Sequence, residues 1–556
     1  MNKKTKALKI SMYFFGILLL ISVFKNIAYP LMWADESMTA MGSERVVEYG
    51  FPKAHDGKNV VNDMFCSTPR VAVNANDAFI GGANWGQYYF GAIGYKLANS
   101  SDDLYTKTGI FRSTFAIMGL LGLFILAFAV SKFFDDTFYK YLFISLFLLA
   151  ELISVSMALH IREVRYYSPA LFFSSAVIAL YLLYRFHKPF NKIFFSIGLA
   201  ALLWITFNMF SPLYFIFILA IGISEAVIYV FQYLKSKNLK VALMACFPAV
   251  AAILISYIAV YPLLDYFKTF EMKKILDGFY HFNSAMYWWH FSNEVRYFGK
   301  LELLWLAAAM RIAIFVNYKK VSSRYSELFS VSNFLTLLFI IFLFSVPNID
   351  SPMFTRYLIY MQPVVAIIAI IDFIILLRVF PYYNTKTSKT KAAIPVLIFA
   401  TFFGFTVANN LPFLAGHMYE MTHQYKGPLD YTIPYIKANY TKPEDLTIAT
   451  NYEETSYMYY LKSKVIVGFV GNNLPEDTAY QPDLISYRQS LGSNFEGVFN
   501  LYLKRAPYTR TAFPAKDIPL NNIPELNFDM PVYNHYFQSV STDEEGKKVS
   551  LLLKMK

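Results

Sequence analysis

Apolar residues fall in long blocks separated by short polar breaks. Blocks of roughly 17–25 residues, enough for a helix to cross about 30 Å of hydrocarbon, occupy positions 9–30, 110–131, 141–160, 167–185, 193–211, 213–232, 241–263, 301–317, 328–346, 357–378 and 393–411. The pattern predicts about eleven membrane-spanning helices. Three hydrophilic pieces interrupt or follow them: residues 31–109, 264–300 and 412–556. In the last, two short β-branched runs, Leu446 to Thr450 and Val465 to Phe469, flank the helical-looking stretch Tyr452 to Leu461, which predicts a small α/β domain. The prolines Pro507, Pro514, Pro519, Pro524 and Pro531 make the remainder turn-rich and give it no readable topology. The expected architecture is a polytopic α-helical membrane domain over residues 1–411, followed by an α/β domain over residues 412–556.

Composition supports that reading. The chain of 556 residues is 56% hydrophobic and only 16% charged, with a mean hydropathy of +0.38, which excludes an ordinary soluble domain. A net charge of +12 would suggest nucleic acid in a soluble protein, but here the cations map to loops. With a cytoplasmic N-terminus, the inner loops hold Lys3, Lys4, Lys6, Lys9, Lys132, Lys140, Arg185, Lys188, Lys235, Lys237, Lys240, Lys319, Lys320, Arg378 and Lys386, among others. The short outer loops carry only Arg162, Arg165 and Arg356. By the positive-inside rule this orients a multi-pass protein of the cell (inner or plasma) membrane with an uncleaved first helix and all three hydrophilic pieces outside. No nucleic-acid partner is expected. Cys66 and Cys246 lie at different depths and make no disulfide framework. GxxxxGK[ST], GxGxxG and HExxH motifs are missing, so an enzyme working outside the cytoplasm needs an activated substrate other than ATP. A lipid-linked donor meets that need.

Three clusters on the outer face carry candidate chemistry. The first is Asp35-Glu36 at the start of a helix ending near Gly50, where the partial positive charge of a helix N-terminus favours ionised carboxylates. Such a pair holds a metal, orients a hydroxyl, accepts its proton, or simply caps the helix. The second, Arg162-Glu163-Val164-Arg165-Tyr166-Tyr167, packs charges against the membrane surface, where they are costly unless paired or functional; an interfacial Arg/Tyr belt is the plainer reading. The third, Thr355-Arg356-Tyr357, places an arginine at a helix entrance, suited to a phosphate or to lipid headgroups.

In this order and on one face, the clusters resemble the GT-C superfamily of membrane glycosyltransferases, in particular the branch of protein O-mannosyltransferases and lipid A aminoarabinose transferases. Trp33-x-Asp35-Glu36, then Glu48-Tyr49-Gly50-Phe51-Pro52 and His55-Asp56-Gly57, is similar to that branch's opening loop. Arg162 to Ser168 resembles its second motif, and Phe354-Thr355-Arg356-Tyr357-Leu358 before Gln362-Pro363 its late Arg-Tyr-Leu motif. One departure stands out. Relatives carry Lys-Pro-Pro ahead of a Tyr-rich helix in the first loop, whereas this chain reads Ala83-Asn84-Trp85-Gly86-Gln87-Tyr88-Tyr89 with no lysine. Either Arg356, Arg162 or Arg165 supplies the charge expected at the donor phosphate, or the donor is recognised differently.

The resemblance implies inverting transfer of a sugar from a polyprenyl-phosphate carrier to a hydroxyl of a lipid, glycan or protein. It implies Asp35 as base, Glu36 and Glu163 as supporting acids, and Arg356 with Arg165 as phosphate clamps, with Arg162, Tyr166, Tyr357 and His55 as further substrate contacts. A divalent metal ion is a possible cofactor, with His55, His281 and His290 among the imidazoles that could join the acids, although structural roles serve each equally well. The aromatics Tyr287-Trp288-Trp289 suit a sugar, a lipid tail or an interfacial belt. The competing class is a secondary transporter or lipid flippase, for which Glu151, Glu225 and Asp372 within the apolar blocks would be ion sites. Against it, the chain shows no repeated halves.

Overall fold

The computed structural model describes residues 3–61, 72–81, 85–187, 190–279, 281–348, 355–379, 386–469, 474–491, 496–517 and 542–555. Cys66 lies outside them. The membrane part contains helices α1 (Lys3–Phe24), α2 (Ala34–Tyr49), α3 (Gly86–Ala98), α4 (Leu104–Ser131), α5 (Thr137–Ile153), α6 (Val155–His160), α7 (Tyr167–Leu182), α8 (Lys192–Met209), α9 (Ser211–Ser236), α10 (Leu239–Tyr266), α11 (Thr269–Phe279), α12 (Ser284–Lys300), α13 (Leu304–Val316), α14 (Tyr318–Arg324), α15 (Ser326–Ser345), α16 (Gln362–Val379) and α17 (Lys386–Thr422). Side-chain oxygens of Asp103, Asp136, Asn191, Asn238 and Asn283 accept backbone N–H groups at the starts of α4, α5, α8, α10 and α12, each such cap contributing about 1 kcal/mol.

Nine helices among the described residues are long and apolar enough to cross a membrane: α1, α4, α7 with its extension to His187, α8, α9, α10, α15, α16 and α17 from Ala393. The protein is multi-pass. The other two predicted spans come out shorter. The block 141–160 breaks at Ser154, which leaves helical geometry (φ −79°, ψ 91°) so that its hydroxyl caps α6 and donates to Glu302 at 2.8 Å. The block 301–317 yields the 13-residue helix α13. A one-residue interruption inside an apolar run leaves hydropathy unchanged, and so periodicity misses it.

Helix α16 occupies the centre of the bundle, buried from Gln362 to Leu376 and packed against α5, α13, α15 and α17. Two of the acids singled out in the apolar blocks, one of them on α16, are paired with arginines. Arg185 binds Glu225 at 2.8 Å, and Arg311 binds Asp372 at 2.9 Å. Pairing offsets the desolvation of charges held in a bundle interior.

After α17 and α18 (Leu429–Asn439) comes a five-stranded sheet of β1 (Thr447–Thr450), β2 (Lys464–Val467), β3 (Leu484–Ser486), β4 (Tyr508–Lys516) and β5 (Lys548–Lys554), in the order β2-β1-β3-β5-β4. Strand β1 runs parallel to both neighbours, Ile448 standing opposite Val465 on β2 and Leu484 on β3, while β5 pairs antiparallel with β3 and β4. Helix α19 (Glu454–Leu461) makes the crossover from β1 to β2, and α20 (Leu474–Asp477) and α21 (Glu496–Arg505) complete the domain. The last three residues of β1 and of β2 are buried without alternation, as expected of strands covered on both faces.

The buried helix α19 docks directly on α2. Ser37 shares hydrogen bonds with Thr455 at 2.7 Å and Ser456 at 2.9 Å. Those two hydroxyls donate to the carbonyls of Ala34 at 3.0 Å and Met32 at 2.9 Å. Lys462 Nζ reaches both carboxylate oxygens of Glu44 at 2.6 Å. On its other side α2 packs against α3, where Gly42 lies against the Tyr88 ring and Gly91 against the Ser43 hydroxyl too closely to admit a β-carbon. Helix α2 ends at Gly50, whose left-handed φ of 82° lets its N–H close on Val46. Replacing Gly42 by valine is therefore expected to force α2 and α3 apart and cost about 1–3 kcal/mol, visible as a lower unfolding temperature in detergent; an unchanged melt would mean that the Tyr88 ring swings aside.

Candidate functional site

The first turn of α2 brings the three sequence clusters together. Asp35 Oδ2 lies 3.5 Å from Nη2 of Arg165 and 3.5 Å from Nη2 of Arg356. These residues come from the loop before α7 and the short 3₁₀ turn Thr355–Leu358, so three distant parts of the chain meet at one carboxylate. Asp35 keeps a quarter of its side chain exposed, open to a ligand. Arg165 also donates to the Thr39 hydroxyl at 3.3 Å and the Asp35 carbonyl at 3.4 Å. The Arg356 guanidinium lies over the Trp33 ring at 5.3 Å and beside Tyr357 at 5.7 Å, while Arg165 lies 5.6 Å from the Tyr166 centroid. Tyr166 and Tyr357 both stack on Phe210, at 5.0 and 6.3 Å. Aromatic faces thus support the cations and leave the planar edges for hydrogen bonding.

Glu36 does different work. Its carboxylate is buried and gripped by Arg112, whose Nε and Nη2 donate at 2.8 and 2.5 Å, and it accepts the Val164 N–H at 3.1 Å. Glu163 is buried nearby, sharing a hydrogen bond of 2.8 Å with His160 Nδ1. Burial first, and the charge of Glu36 second, push its carboxyl well above the usual carboxylate range. Its other oxygen has no hydrogen-bond partner among the described residues. A protonated Glu163 is equipped to donate to a substrate hydroxyl.

Two residues singled out in the sequence point to other partners. Arg162 pairs with Glu420 near the end of α17, and His55 pairs with Asp77 and donates its backbone N–H to that carboxylate at 3.1 Å. Sequence reasoning passed over Arg112, although a lone cation inside an apolar block is a visible signal. It also passed over Tyr88, fully buried, its hydroxyl without a hydrogen-bond partner among the described residues. Burial pushes the Tyr88 phenol up to about 12, with the charges of Arg165 and Asp35 acting on it. Asp35 is flanked by two cations rather than by further carboxylates or imidazoles, and no group of three or more His, Cys, Asp or Glu side chains gathers among the described residues. That donor set does not fit a divalent ion.

The aromatics of the second hydrophilic piece lie on α12, with Trp288 and Trp289 exposed and His290 buried. His290 stacks on Phe282 at 6.4 Å.

No protein-family model matches the chain, and no curated protein resembles it in sequence. Solved structures do resemble it in shape. ArnT from Cupriavidus metallidurans bound to undecaprenyl phosphate superposes with a TM-score of 0.51 at 12% identity, covering 97% of both chains. The archaeal oligosaccharyltransferase AglB from Archaeoglobus fulgidus, in complex with an inhibitory peptide and a dolichol-phosphate, gives a TM-score of 0.52 at 10% identity, covering 90% of this chain and 73% of its own. The chain therefore shares its fold with these two membrane proteins. Within this fold, the opening-loop helix α2 carries the Asp35 cluster, and the C-terminal sheet domain packs onto that same helix.

The Arg112 grip makes a separable prediction. Arg112→Met leaves Glu36 buried and unpaired and is expected to cost about 3–5 kcal/mol, read as a fall in unfolding temperature or loss of folded protein on gel filtration. The double change with Glu36→Leu removes the stranded charge and is expected to recover most of that loss. Equal melts for the single variant and the natural protein would show that the pair adds nothing.

Proposed function

We propose that this protein is a glycosyltransferase that moves a sugar from a polyprenyl-phosphate carrier to a hydroxyl acceptor on the extracytoplasmic face of the membrane, with inversion at the anomeric carbon. The observation that carries the reading is Asp35 held between Arg165 and Arg356. One carboxylate and two guanidiniums leave one net positive charge, which suits a phosphate. The fold supports it, since ArnT and AglB were solved with polyprenyl phosphates bound. The loop charges support the orientation.

In the reaction, the acceptor oxygen attacks the anomeric carbon as the bond from that carbon to the phosphate oxygen breaks. The acceptor proton passes to Asp35, and the charge left on the phosphate falls to Arg165 and Arg356. An arriving phosphate competes for the two guanidiniums and so releases Asp35 from them to act as base. Glu163, whose burial favours the neutral carboxyl, orients a sugar hydroxyl. Glu36 serves through Arg112, fixing the turn that bears Asp35. Among the acids that a transporter would use, Glu225 and Asp372 are each neutralised by an arginine, which favours the enzyme.

Asp35→Asn is expected to lower kcat by about 10²–10⁴-fold with folding intact, measured as polyprenyl phosphate released from a panel of polyprenyl-phospho-sugars in the presence of an envelope extract. Undiminished release would remove Asp35 from the base role. Arg356→Ala is expected to raise the donor KM by about tenfold or more, and Arg356→Lys to recover only part, because an ammonium cannot reproduce the planar fork.

A further inference from the structure

The C-terminal domain meets this site through α19, whose Thr455 hydroxyl bonds the carbonyl of Ala34 next to Asp35. Strand β1 has parallel neighbours on both sides, β2 reached through α19 and β3 reached afterwards. The space between the carboxyl ends of β1 and β3 is therefore a topological switch point, the place where open parallel sheets bind ligands. Thr450 and Ser486 close those ends, and the turn Asn451-Tyr452-Glu453 leads from β1 into α19.

That turn is tied down almost completely. The Thr450 hydroxyl donates to the Tyr452 carbonyl at 2.7 Å and accepts the Tyr452 N–H at 3.2 Å. The Asn451 amide exchanges hydrogen bonds with the backbone of Arg488, at 3.0 and 2.8 Å. Glu453, buried and in the left-handed region at φ 63°, accepts from Arg488 Nη1 at 2.8 Å, and Asp517 holds Arg488 from the other side at 2.6 Å. A non-glycine residue in that conformation persists only where its surroundings over-determine it. The exception is the Tyr452 phenol, which makes no hydrogen bond among the described residues, while its backbone is clamped and Thr455, three residues on, bonds the carbonyl of Ala34 beside Asp35. Burial first, and then the charges of Glu453 and Asp35, hold the phenol well above its usual range, so it serves as a hydrogen-bond donor rather than a base. Edge to face with it, at 5.7 Å, is Phe469, which follows β2 and exposes more than half its surface.

We infer that Tyr452 and Phe469 form a carbohydrate acceptor subsite contributed by the C-terminal domain, Phe469 as a platform for a sugar ring and the Tyr452 hydroxyl as a donor that turns the acceptor hydroxyl toward Asp35. The inference rests on the proposed transferase reading. It makes the preferred acceptor a glycan or glycolipid headgroup rather than a peptide side chain.

The test uses the full chain in nanodiscs and a donor that the natural protein cleaves, with amino-sugar disaccharides and a Ser/Thr peptide as acceptor probes. Phe469→Ala is expected to raise the disaccharide KM about tenfold, and Tyr452→Phe to lower kcat/KM for the disaccharide about tenfold, with the donor KM and the unfolding temperature of both variants unchanged. Unchanged disaccharide kinetics in both variants, a shift in donor KM instead, or saturation by the peptide alone would overturn the subsite. If the natural protein cleaves no donor, the transferase reading fails separately, and saturation-transfer NMR with the same disaccharides decides the subsite. Ring contacts present in the natural protein and lost in Phe469→Ala sustain it; contacts equal in both, or missing in both, overturn it.

Discussion

One guanidinium holds the corner on which the candidate site is built. Arg112, about two turns into α4, binds both oxygens of Glu36 and donates to the carbonyls of Ile27 and Pro30 at 3.1 and 2.6 Å. It thus joins the exit of α1, the start of α2 and the wall of α4 at a single buried point. Water is excluded there, so each of these groups depends on the others for its hydrogen bonds, and removing one strands the rest. Asp35 is the neighbour of Glu36 on the same turn. Fixing Glu36 fixes the phase of α2, and with it the direction in which Asp35 meets Arg165 and Arg356.

The second constraint on α2 comes from outside the membrane bundle. The hydroxyls of Thr455 and Ser456 take the carbonyls of Ala34 and Met32, Asp430 accepts the Leu31 N–H at 3.1 Å, and Lys462 closes on Glu44. Helix α2 is therefore gripped along its length by the sheet domain on one side and by α3 and α4 on the other. A carboxylate in the base role proposed for Asp35 gains from such rigidity, because its orientation is set before substrate arrives. Asp430, a carboxyl buried in this contact, is pushed up to about 6 by burial, with the N–H groups of Leu31 and Gly427 pulling the other way.

Much of this was legible in the chain. Alternation of apolar blocks with basic loops gave the membrane class, and the β-branched runs at Leu446 and Val465 marked β1 and β2 with α19 between them. Asp35, Arg165 and Arg356 were visible as charges placed where a membrane surface makes charge costly. Their partners were not. Glu36 looked like a second functional acid beside Asp35, because adjacent residues of one helix turn share sequence context while pointing in different directions; tertiary packing sends Glu36 to Arg112. Arg162 and Arg165 are similarly close in sequence, yet Arg162 is taken by Glu420, some 258 positions away. The break at Ser154 escaped notice because a serine inside an apolar run changes hydropathy little, whereas its hydroxyl finds Glu302, 148 positions away, only in the folded bundle.

Hydrophobic patterning and loop charge determined by themselves that the chain is a multi-helix membrane protein with a small α/β domain at its end, since burial in lipid and burial in a sheet impose periods and lengths that are local properties. Which charges form the site and which form the scaffold was decided only by the tertiary structure. A carboxylate's role is set by the cation that reaches it, and Arg112, Arg165 and Arg356 reach theirs across 76, 130 and 321 positions of chain.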